Sequence, residues 1–74
     1  MTQNDFVTKP EPAALASEIS CLKALVTLML KSIGQADAGK VILKMEKQIA
    51  ELDDAREAAV YNETIAQIKQ AFRR

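Results

Sequence analysis

The chain has 74 residues, ten basic and ten acidic side chains that cancel to zero formal charge, no histidine and one cysteine. That length allows one domain at most, and a single core of this size rarely supplies more than ~3–5 kcal/mol without a disulfide, a metal or a second subunit. Cys21 cannot close an intrachain disulfide, and without histidine there is no tetrahedral Cys/His zinc site, so a partner chain is the remaining support.

The balanced charge argues against broad attraction to nucleic acid or to an anionic membrane. Apolar residues make up 49% and aromatic residues 4%, which predicts an aliphatic core built from helix-forming residues. Residues 1–11 contain Pro10, carry Asp5 and Lys9, and have no apolar run behind a basic start. They read as a flexible arm and not as a signal peptide.

The first helix is expected over about residues 12–33, with Pro12 in its first turn, where a missing N–H costs nothing. Leu15, Ile19, Leu22, Val26, Met29 and Ile33 alternate spacings of four and three, which is a heptad seam. Cys21, Leu25 and Leu28 form a second apolar row beside it, with Leu30 further round. The polar strip of Ser20, Lys23, Thr27 and Lys31 is narrow, so the helix needs more than one neighbour. Ile19–Ile33 is the strongest apolar stretch, but it contains Lys23 and Lys31 and falls short of the ~20 residues of a bilayer span. No membrane is therefore expected, and the cytoplasm is the expected location, where a lone thiol suits a reducing compartment.

Gly34 is expected to stop the first helix in a left-handed C-terminal conformation, and Asp37 to cap the second, so that these two residues form a hinge. The second helix should run over about 37–52, with Ala38, Ile42, Met45, Ile49 and Leu52 as its seam and Lys47–Glu51 as an i,i+4 pair. Beyond Leu52 the same phase would bury Arg56 and Glu63. A new seam of Ala58, Tyr61, Ile65, Ile68 and Phe72 starts instead, and Asp54 with Glu57 can cap a third helix over about 54–72. The absence of glycine or proline after Gly39 leaves one long bent helix as the alternative.

Four features invite a chemical reading. Gly34 to Lys40 matches most of a phosphate-binding loop, but Val41 replaces the hydroxyl that holds magnesium, and a helix precedes it where a strand is needed. Cys21 has no histidine to generate its thiolate, which predicts a packing role. Glu51, Asp53, Asp54 and Glu57 lack the alternating ligands of a calcium loop and suit a helix start. Lys40, Lys44 and Lys47 form a basic stripe, but Glu46 and Glu51 share the second helix with them.

The stretch from Ser20 to Gly39, SCLKALVTLMLKSIGQADAG, with Lys44-Met-Glu-Lys47 after it and Gln67 to Phe72 near the end, resembles the enterobacterial YecF-like family of small proteins. That resemblance covers roughly residues 18–74. It implies a small helical bacterial protein in the cytoplasm and carries no activity, so no functional residue is transferred by it.

These features predict an all-α fold: an antiparallel helical hairpin plus a third helical segment over residues 12–74, assembled as a homodimeric helix bundle. The expected dimer and core residues are Leu15, Ile19, Leu22, Leu25, Val26, Leu28, Met29 and Ile33 of the first helix and Ile42, Met45, Ile49 and Leu52 of the second. No catalytic, cofactor-binding or metal-binding residue is assigned, and no cofactor is expected. The expected function is a non-enzymatic protein-interaction module whose partners are itself and an unidentified second protein. A nucleic-acid-associated regulator using Lys40, Lys44 and Lys47 is the alternative, disfavoured by the net charge.

Overall fold

The computed structural model describes residues 6–74, and all regular structure among them is helical: α1 (Pro12–Ile33), α2 (Gln35–Ala50) and α3 (Ala55–Phe72). Residues 1–5 of the expected arm lie outside the described residues. Residues 6–11 are exposed and outside any helix. Pro12 occupies the first turn of α1, and Glu11 precedes it without a side-chain cap.

A single residue separates α1 from α2. Gly34 has φ 96° and ψ 157°, so it ends α1 through a positive φ but with an extended ψ, not in the left-handed helical conformation expected. That combination is essentially confined to glycine. The Asp37 cap is corrected as well: α2 begins at Gln35 with Gly34 at the N-cap position and no side-chain cap bond. Asp37 instead sits inside the first turn, where its charge favours the helix dipole and its carboxylate lies 3.9 Å from the exposed Lys40 Nζ.

α2 closes at Ala50, where the Glu51 and Leu52 N–H groups each donate to a carbonyl three residues back at 3.1 Å. Glu51 therefore falls outside the helix. Across the α2–α3 contact, Lys69 Nζ meets Glu46 Oε2 at 3.2 Å. Asp54 caps α3, its Oδ1 accepting from the Arg56 N–H at 2.9 Å and the Glu57 N–H at 3.2 Å. The second and third helices are thus separate, with the break at residues 51–54.

α2 and α3 turn most of their seams toward each other and toward α1, although Tyr61 of the expected α3 seam is exposed. Ala38, Ile42 and Ile49 are buried on α2 with Met45 half-buried, and Ile68 is buried on α3 with Ile65 and Phe72 half-buried. Leu30, Ala38 and Ile68, one from each helix, form the centre, and Phe72 packs against it. The third helix accordingly packs within its own chain.

α1 meets this core through a different side from the one its pattern suggests. Its buried residues are Thr27 and Leu30, with Lys23 half-buried. At about 100° per residue, these three lie roughly a quarter turn from the heptad seam. Of the expected packing residues, Leu15, Ile19, Leu22, Leu25, Val26, Leu28, Met29 and Ile33 are all exposed in the single chain. Cys21, expected in the core, is exposed too.

The two glycines give opposite expectations for one substitution. Gly34→Ala should cost about 1–3 kcal/mol, because alanine rarely tolerates that backbone conformation. Gly39 is helical, and a Cβ there would meet nothing within 4 Å, so close helix approach does not explain it. Gly39→Ala should add about 0.5–1 kcal/mol through helix propensity. Urea unfolding at one fixed protein concentration reads both signs, and Asp54→Ala in the same series should lose about 1 kcal/mol.

Candidate interaction surface

The uncovered face of α1 carries eight of the exposed large apolar side chains among the described residues. The seam runs from Leu15 to Ile33, roughly 27 Å along the helix, and Leu25 and Leu28 widen it on one flank. Leu28 is 61% exposed, Met29 57% and Leu22 54%. Among the described residues no large side chain falls below 2% exposure, so the internal core is thin.

The side of α1 that packs inside sets Thr27 and Lys23 beside Leu30, and the polar groups of the first two are satisfied. Thr27 Oγ1 donates to the Lys23 carbonyl at 2.8 Å, which lets a buried hydroxyl sit against α3 without an unpaired group. Lys23 lays its aliphatic stem on the contact and donates from Nζ to Gln67 Oε1 at 2.7 Å. Among the described residues no buried side-chain nitrogen or oxygen lacks a partner.

Next to this contact, a groove of about 570 Å³ runs between α1 and α3 and gathers Lys23, Lys31 and Arg74 around Ser20, Thr27 and Gln67. Sequence reasoning missed this cluster. The strip of Ser20, Lys23, Thr27 and Lys31 was visible, but nothing local in the sequence brings Arg74 beside it. Lys40, Lys44 and Lys47 do share one exposed face of α2, around Leu43.

The other sequence motifs assemble no chemistry. Gly34 to Lys40 is a one-residue joint followed at once by helix, with no loop of backbone N–H groups to cradle a phosphate. Asp54 uses its carboxylate to cap α3, and among the described residues no three Cys, Asp or Glu side chains converge at metal-binding distances. α1, at 22 residues, is long and apolar enough to cross a membrane, contrary to the length argument from sequence; core helices and leader segments meet the same criterion.

Fold and surface together define a small three-helix protein with one apolar helix face left open. The chain matches, over residues 1–74, the family described as "Protein of unknown function (DUF2594)", and it belongs to that family. It is 56% identical over 73 residues to the "Uncharacterized protein YecF" of Escherichia coli K12 and to the protein of the same description in Shigella flexneri, with 99% of both chains covered in each case. The YecF-like resemblance is thereby confirmed. No solved structure matches the chain.

Because the core holds so few buried side chains, each should matter out of proportion. Ile68→Ala, which empties the meeting point of the three helices, should cost about 2–4 kcal/mol. Thermal unfolding followed by circular dichroism should show a large drop in midpoint or loss of a cooperative transition, whereas Val60→Ala, on the exposed side of α3, should shift it little.

Proposed function

We propose that this chain is a non-enzymatic interaction module that works as a homodimer in the cytoplasm, with the open face of α1 as its self-association surface. The observation that carries the proposal is the exposure of eight large apolar side chains on one helix, in a chain whose own core is thin. Isologous two-fold pairing is the commonest way to cover such a face, because one patch supplies both halves of the interface. Left open, it would be an aggregation hazard.

A lipid bilayer would also cover an apolar helix, but at a structural cost. α1 is tied to α2 and α3 through Leu30, Ala38 and Ile68, and by the Lys23–Gln67 bond. Crossing a membrane would strip those contacts, because α2 and α3 carry charged residues along most of their length. The nucleic-acid reading has the exposed lysines of α2 behind it. It lacks a charge surplus, and Lys40 lies beside Asp37.

Pairing leaves the outer faces of α2 and α3 free for a second protein, which is the module's proposed task. Light scattering across a dilution series should give a constant mass near twice 8.1 kDa. Leu22→Lys combined with Met29→Lys should reduce this to the mass of one chain while the helical circular dichroism persists. A wild-type monomer at micromolar concentration would refute the proposal, and its co-flotation with phospholipid vesicles would give the face to the membrane instead.

A further inference from the structure

Beyond the dimer proposed above, the side chains along α1 bear on how two copies would be arranged. The spacing places Ile19, Val26 and Ile33 at the a positions of a heptad, and Leu15, Leu22 and Met29 at d. After Pro12 in the first turn, each a residue is β-branched and each d residue is unbranched at Cβ. In parallel coiled coils this division favours two strands, because a and d side chains enter the facing helix at different angles. An unpatterned apolar face would mix the two kinds.

The flanking positions agree with the same arrangement. Glu18 falls at g and Lys23, five residues on, at e, which is the separation at which parallel strands form g-to-e′ ion pairs. Lys23 gives one of its three donors to Gln67 and keeps two more for a carboxylate. The next g residue is Leu25, exposed in the single chain, and five residues on is Leu30, at e.

The packing within one chain fits this register as well. α2 and α3 approach α1 on its e and b side, leaving a and d clear for a partner helix. Where α2 approaches α1, an apolar cleft of about 310 Å³ opens, lined by Val26, Leu30, Val41, Ile42 and Met45 among others. In a parallel pair the partner's g row runs alongside this e side, so a second copy's Leu25 arrives beside Leu30, at the cleft.

We infer that two copies of α1 pair in parallel and in register as a short two-stranded coiled coil, each copy's Leu25 entering the α1–α2 cleft of the other. The occupant of the open face is a second copy of this chain, and the site is incomplete without it. About 27 Å of seam is short for a free-standing coiled coil. Insertion of Leu25 between α1 and α2 adds packing that a bare helix pair lacks, and it accounts for the second apolar row of α1. This inference rests on the dimeric reading above.

Disulfide trapping tests it in a Cys21→Ala background. Leu15→Cys and Met29→Cys are made singly, and each is oxidised mildly after light scattering of the reduced protein. Parallel pairing in register predicts that both variants are dimers when reduced and that each links to itself. A reduced dimer in which neither self-links, while a mixture of Leu15→Cys with Ile33→Cys does link, would show antiparallel pairing and overturn the inference while leaving the dimer intact. A reduced monomer that parallels a monomeric wild-type chain would remove the dimeric reading and this one with it. Independently of cysteine chemistry, Glu18→Lys should raise the dimer dissociation constant roughly five-fold at low salt, and adding Lys23→Glu should reverse most of that rise. No recovery in the double variant would also count against the parallel register.

Discussion

The structure depends on one imbalance: α1 carries more apolar circumference than two other helices can cover. α2 and α3 are amphipathic, each with one inward seam, and they bury those seams against each other and against one side of α1. Once Leu30, Ala38 and Ile68 have met, no further helix among the described residues remains to lie over Leu15, Leu22 or Met29. Fully burying an aliphatic side chain is worth about 1.5–3 kcal/mol, and the eight on α1 are only 39–61% exposed, so covering them would release roughly half of that for each.

Which side of α1 faces inward follows from what the contact with α3 can tolerate. Thr27 closes its hydroxyl onto the preceding turn, and Lys23 reaches the rim, so neither brings an unsatisfied charge or donor into the contact. A polar residue such as Thr27 can therefore sit beside Leu30 in the internal surface when its hydroxyl is satisfied locally. The purely apolar seam is then left uncovered in the single chain.

Much of this was legible in the residues. The three-helix content, the break at Asp53–Asp54 and the inward seams of α2 and α3 follow from spacing and from Asp54, because those signals are local. The orientation of α1 was not legible. Its pattern marks an apolar face correctly but cannot say which neighbour takes it, and a helix apolar over most of its circumference has no single preferred inside. The Asp37 cap failed for a related reason: Gln35 could already be helical because Gly34 adopts a conformation that lets the chain turn within one residue. Likewise, the gathering of Lys23, Lys31 and Arg74 depends on how α3 lies along α1, which is a property of the tertiary packing alone.

The one-residue joint at Gly34 also bears on how this sequence can change over generations. With no loop between α1 and α2, there is no slack to absorb a length change. Adding or removing a residue just before Gly34 turns the rest of α1 by about 100° relative to α2, close to the quarter turn that separates its seam from Lys23, Thr27 and Leu30. In one rotational sense the seam swings into the core and those residues come out, and in the other the seam moves further away. Substitutions along α1 can accumulate one at a time, whereas a change of one codon at this point, in one of its two directions, exchanges the inside and the outside of the helix in one step.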